Sequence, residues 1–165
     1  MNSGPSIERR MVLRLIEHWD NLRQDRQYPA PEDLNPAEGP LADFWQDCFT
    51  VVVASPPNAS KFTFIGGNLL ETSHLPTDWQ DSTARVLSDC PENSLLGQSV
   101  SYVRQVLDKK VPISLGDSFP DGEYIIRFRS IVLPMSSDGE TVDQLFGAAN
   151  CLRVGARQTE LVEHG

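Results

Sequence analysis

The sequence predicts an α+β domain built on an antiparallel sheet, and two observations carry that reading. Apolar residues recur at spacings of three and four near the N-terminus and again around residue 100, whereas several later segments alternate with period two. The elements also come in runs: a helix, two strands, small helices, one longer helix, then two or three strands. Runs of strands with helices gathered between them indicate α+β architecture rather than alternating βαβ units, with the helices on one sheet face and a small cavity between.

The first helix is marked by Ile7, Met11, Leu15, Trp19 and Leu22, with Val12 and Ile16 widening the stripe. Ser3 or Ser6 can cap its start, Arg23 and Arg26 suit its negative end, and Pro29 and Pro31 stop it. A stripe this apolar needs a cover, supplied by the chain's own sheet, a second copy or both. Residues 29–43 are proline-rich and acidic and read as a connector with short turns.

The period then changes. FWQDCFTVVVA (44–54) is rich in aromatic and β-branched residues and reads as a strand, SPPNAS (55–60) as a turn, and KFTFI (61–65) as the second strand of a hairpin. Gly66 and Gly67 follow where the chain leaves the sheet, and a glycine pair there allows positive φ. Residues 69–91 read as irregular, with one or two single turns. Leu96, Val100, Val103 and Leu107 mark one longer helix ending at Lys109–Lys110. Residues 111–115 suggest a short strand and GDSFPDG (116–122) a turn-rich loop. In the next segment Tyr124, Ile126, Phe128, Ser130 and Val132 point inward, while Glu123, Arg127 and Arg129 line the other face. Asp138–Gly139 signals a hairpin, and residues 142–154 return as the last strand. The organisation is an N-terminal helix over 1–28, a domain over 29–155 and a flexible tail over 156–165.

Composition narrows the function. The chain has 165 residues, 39% of them hydrophobic and 22% charged, which suits one globular domain. A net charge of −9 lacks the basic footprint of nucleic-acid binding. No apolar run reaches membrane-spanning length, and the N-terminus, with acids inside its apolar run, does not read as a secretory signal. Three scattered cysteines, Cys48, Cys90 and Cys151, suit buried thiols in a reducing compartment, and the cytoplasm is the expected location.

The search for chemistry selects no catalytic set. There is no phosphate-binding glycine loop and no Cys-x-x-Cys. The three histidines, His18, His74 and His164, are dispersed, so no metal site is expected. His18 reads as a surface or interface residue, and His74 alone lies where it can overhang a cavity. No serine sits in a G-x-S-x-G elbow. The expectation is a module that is not an enzyme.

Three fragments carry a family resemblance. HWDNLRQDRQYPAPEDLNP (18–36) resembles the opening of a bacterial, free-standing branch of the PAS family, with a Trp-x-x-Leu-Arg helix end and an Asp-Leu-x-Pro turn. FTFIGGNLLE (62–71) resembles its second strand and exit into a helix, and IVLPMSSDGETVDQLFGA (131–148) its closing hairpin. The resemblance implies a five-stranded antiparallel sheet flanked by helices, with an extra amphipathic N-terminal helix outside it. It further implies a homodimer or partner contact through that helix, and often a small molecule held between sheet and helices.

Departures from the family limit what is carried over. Asn150-Cys151-Leu152-Arg153 is similar to the flavin motif of photosensor relatives but falls in a strand, and residues 94–109 contain no histidine to ligate haem. The cofactor is therefore left unknown. The expected pocket is lined by Phe62, Phe64, Trp79, Val103, Leu107, Tyr124, Ile126 and Phe128, with Ser130 as a polar contact. The expected interface is Ile7, Met11, Leu15, Trp19 and Leu22. Two functions compete: a sensory module acting on a downstream signalling protein, and a ligand-free interaction scaffold. A small enzyme would need a convergent polar cavity, for which no set stands out.

Overall fold

The longest alternating segment of the sequence forms the centre of the molecule. A computed structural model describes residues 3–76, 78–79 and 85–155, with side chains described from residue 10 onward. Strands β4 (Tyr124–Met135) and β5 (Gln144–Gly155) are 12 residues each and pair throughout, Tyr124 opposite Gly155 and Met135 opposite Gln144. Strand β1 (Cys48–Val52) joins the other side of β5, β2 (Lys61–Ile65) lies outside β1, and β3 (Ile113–Asp121) borders β4. The result is a five-stranded sheet in the order β2-β1-β5-β4-β3 with antiparallel neighbours throughout. With helices flanking it and an N-terminal helix outside, this is a PAS-like α+β fold.

Both faces of the sheet are covered. Ile126, Phe128 and Val132 of β4 join Phe49, Phe62, Leu96, Val103 and Val106 in one core. That core is roofed by α3 (Gly67–Thr72), α4 (Leu95–Val100) and α5 (Val103–Lys109). Ile131, Leu133 and Met135 turn the opposite way and meet Phe146 and Ala148 of β5 in a second core. Its cover is α1 (Ser3–Arg23) and α2 (Gly39–Phe44). Strand periodicity sends neighbouring residues to opposite faces, so one strand feeds both cores.

The N-terminal stripe packs on the chain's own sheet. Met11 and Leu15 are 0% and 1% exposed, and Val12 is buried beside them. Trp19 is half-buried, and its indole Nε1 donates to the Pro134 carbonyl at 2.8 Å, fastening α1 to β4. Arg14 pairs with Asp43 at 3.0 Å and lies over the Phe44 ring, which joins α1 to α2. The Met11 and Leu15 positions of the expected interface are thus core positions, because the sheet face beneath them is apolar and requires a cover. Leu22 is half-buried. The side chain of Ile7, the caps read at Ser3 and Ser6, and the tail over 156–165 lie outside the described residues.

Local structure departs from the sequence reading in five places. The first strand starts at Cys48, since Phe44 ends α2 and Trp45–Asp47 form a 3₁₀ turn. Trp45 from that turn stacks on Phe64 at 4.6 Å, so these aromatic residues serve packing rather than a ladder. Gly66 has an ordinary φ of −65°; a side chain there would meet the Gln46 carbonyl oxygen at 2.3 Å, so close approach is the constraint. The longer helix breaks at Ser101–Tyr102 into α4 and α5, and Ser99 bonds back to the Leu95 carbonyl at 2.6 Å. Residues 116–121 continue β3 instead of looping, because β4 supplies a complete ladder and Pro120 is tolerated on an edge strand. The turn is reduced to Gly122–Glu123, with Gly122 at φ +63°. The last connection spans 136–143, so the final strand starts at Gln144 rather than at residue 142, with Gly139 at φ +84°.

That connection is organised by Asp138, whose Oδ1 accepts from the Glu140 and Thr141 amides at 2.8 and 2.9 Å and from the Ser136 hydroxyl at 2.8 Å. The Thr141 and Glu140 amides, then Ser136, hold its carboxyl down to about 2, below the ordinary 3.8. A depressed carboxylate contributes order that is present above its ordinary value and lost as pH falls through its folded value. Amide exchange at Glu140 and Thr141 should therefore accelerate as pH falls from about 4 towards 2, beyond the intrinsic pH effect, and Asp138→Asn should abolish that dependence.

A second expectation concerns α1. Leu15→Ala should cost about 2–5 kcal/mol in urea unfolding, because it opens a cavity in a closed core. Leu13→Ala, at a side chain 58% exposed, should change stability by about 0.5 kcal/mol or less.

Candidate ligand and signalling site

The candidate site lies between the sheet and the helical roof, and β4 sets its floor. Alternation brings Ile126, Phe128 and Ser130 to that face, all 0–2% exposed. Phe62 arrives from β2 and Phe49 from β1, with ring centroids 6.0 Å apart in an edge-to-face contact. Trp79 lies 6.5 Å from Phe62 and is 6% exposed. Val103, from the first turn of α5, is buried in the same cluster, and Leu107 packs half-buried against it.

Seven of the nine candidate lining residues therefore converge: Phe62, Trp79, Val103, Leu107, Ile126, Phe128 and Ser130. Two do not. Phe64 points to the opposite face, against Trp45, because the β1–β2 register shifts between Thr50 and Val51, pairing Phe62 with Val51 and Phe64 with Thr50. Tyr124 is 44% exposed at the sheet end, with the Arg153 guanidinium 4.9 Å from its ring. The converging side chains pack against one another.

One polar contact sits inside this apolar layer. The Tyr102 hydroxyl and the Ser130 Oγ are 2.7 Å apart and buried. Burial pushes the phenol well above its ordinary pKa, and the bond to Ser130 partly offsets that. Tyr102 occupies the break between α4 and α5, so the bond fastens the roof to the central strand at the roof's own joint. Sequence reasoning missed Tyr102, which has no periodic relation to Ser130. The usable signal was a tyrosine inside an apolar helical stripe, since a buried hydroxyl needs a partner.

The remaining candidates are placed as follows. His74 Nε2 lies 3.0 Å from Asp121 Oδ2, linking the end of α3 to the β3–β4 turn. His18 is half-buried over Gly39; burial lowers its pKa, and Glu38 opposes the shift. Asn150-Cys151-Leu152-Arg153 falls within β5, as the strand reading requires. Asp47, Asn68 and Asn150 border an open cleft of about 220 Å³ at the edge of β5. Burial raises the Asp47 carboxyl, against the Asn68 amide that donates to it at 3.0 Å. The Cys90 thiol is pushed up to about 12 by burial and then by Asp89, and Cys48 is raised for the same kind of reason, so both are neutral thiols. Among the described residues no three His, Cys, Asp or Glu side chains group as a metal site, and no helix is long and apolar enough to cross a membrane.

The buried bond makes a quantitative expectation. Tyr102→Phe or Ser130→Ala should each cost about 1–3 kcal/mol, because one hydroxyl is left buried and unpaired. The double variant should cost clearly less than the sum, as measured by a denaturation cycle.

No family model matches the chain, and no curated protein matches it. Among solved structures it is similar to a Rhodobacter sphaeroides LOV protein, at 13% identity and a TM-score of 0.43, covering 64% of this chain and 58% of that one. It thus spans less than two thirds of that protein's length. The light-state Aureochrome1 LOV, a blue-light photoreceptor, is similar at 18% identity and a TM-score of 0.44, covering 72% of this chain and 91% of that one. A light-oxygen-voltage domain studied with a flavin analogue is similar at 13% identity and a TM-score of 0.43, covering 73% and 87%. Likenesses this distant concern the arrangement of elements alone, and the PAS-like fold stands on the chain's own strand order and registers.

Proposed function

We propose that the chain is a PAS-type sensory and signalling module without enzymatic activity, working in a reducing compartment such as the cytoplasm and passing its signal through α1 to a second copy or a downstream protein. One observation carries this reading: β4 presents Phe128 and Ser130 to the helical roof and Ile131 and Leu133 to α1. A change at the roof displaces a strand whose reverse side holds the N-terminal helix. Trp19, bonded to the Pro134 carbonyl, extends that hold to the end of β4. A small molecule or partner acting on the roof would shift the population of docked α1, and only by its differential affinity for the two arrangements.

A specific observation favours the ligand-free scaffold as the second reading. Phe62, Trp79, Ile126 and Phe128 are at most 6% exposed, and Ser130 already has a partner in Tyr102. In that reading the interior is structural and α1 is a fixed surface element.

Hydrogen exchange separates the two. Tyr102→Phe removes the roof's bond to Ser130 of β4 and touches no residue of α1, so coupling predicts faster exchange across residues 14–22 of α1. The reference is wild-type protein in urea adjusted to the same global stability. Equal α1 exchange in the two samples would rule out coupling and leave the scaffold.

A further inference from the structure

Apart from the buried cluster beneath the helices, an open cleft of about 350 Å³ lies where the β1–β2 connection and the segment from Leu87 to Glu92 face α4 and α5. Its size is within the range of small-molecule sites. Two opposite charges border it from different segments: Glu92 ahead of α4 and Arg104 in the first turn of α5, both exposed. Neither has an ion-pair partner among the described residues, and although they share a wall they do not pair with each other. The same cleft is lined by Leu87 and Val100, 7% and 8% exposed, and by Ser88 and Ser101. Ser101 Oγ donates to the Gln98 carbonyl at 2.7 Å, so its lone pairs remain for a ligand donor.

We infer that this cleft binds a small zwitterion, a free α-amino acid with an apolar side chain. Arg104 takes the carboxylate, Glu92 the ammonium group, and Leu87 with Val100 the side chain. A ligand with one charge gains one charge-assisted contact at this wall, where a zwitterion gains two. A guanidinium matches a carboxylate through two parallel hydrogen bonds. The neutral Cys90 thiol beside the cleft adds no competing charge. The inference concerns this cleft alone and stands whether or not α1 is the output element.

The test uses leucine, leucinamide and N-acetylleucine as probes in amide chemical-shift titrations of the full chain. Leucine should shift the Ser88, Gly97, Ser101 and Arg104 amides saturably, and each blocked analogue should bind about tenfold more weakly, one charge-assisted contact being lost. Arg104→Gln should weaken leucine and N-acetylleucine but not leucinamide; Glu92→Gln should weaken leucine and leucinamide but not N-acetylleucine. Both positions are exposed, and an unchanged amide spectrum elsewhere verifies the fold. Leucine binding no tighter than its blocked analogues, shifts confined to another surface, or no saturable shifts at millimolar leucine would each overturn the assignment.

Discussion

The ladder between β4 and β5 is the constraint on which the rest of the molecule depends. It is the longest pairing, and both of its faces are buried over much of its length. A one-residue slip would exchange the two faces, sending Ser130 towards α1 and Ile131 towards the roof. Each face therefore enforces the register that the other needs. Gly147 in β5 shows how tightly this is set. Opposite it on β1 is Phe49, and a side chain at 147 would fall 2.2 Å from the Phe49 ring. The inner core holds that phenylalanine only because its partner has no side chain.

Within that frame, most of the candidate site is structural first. Aromatic residues from β1, β2 and β4 pack in the layer beneath the helices, and the Tyr102–Ser130 bond there is closed on itself. A buried hydroxyl pair contributes modest net stability but is costly when half removed, so it specifies position more than it adds strength. Here it specifies the joint between two short helices, α4 and α5. The surface charges behave differently. Arg104 and Glu92 remain solvated, and they become informative only because the fold brings them to one cleft.

Much of the fold was legible because helical and extended periods leave separate marks. The α1 helix, the bounds of β2 from Lys61 to Ile65, and four of the five inward residues, Ile126, Phe128, Ser130 and Val132, lie where their periods placed them, whereas Tyr124 is exposed at the sheet end. Legibility failed where one residue type served two purposes. Phe44 and Trp45 look strand-like but pack from a helix end and a turn, and residues 116–121 look loop-like but are drawn into a ladder by β4. Serines at 99 and 101 bond to backbone carbonyls, a competition with regular helix that hydrophobic spacing does not register.

By itself the sequence determined most element types, the helix-bearing sheet and the faces of β4 from Ile126 to Val132, since these depend on local propensity and on period. Tertiary structure decided what those faces meet. It gave the apolar stripe of α1 to the chain's own sheet, turned Phe64 away from Phe62's side, and set Tyr102 against Ser130 across 28 residues of chain. The physical reason is that burial is non-directional. A stripe of apolar residues records that it must be covered, and only the packing of the whole chain records by what.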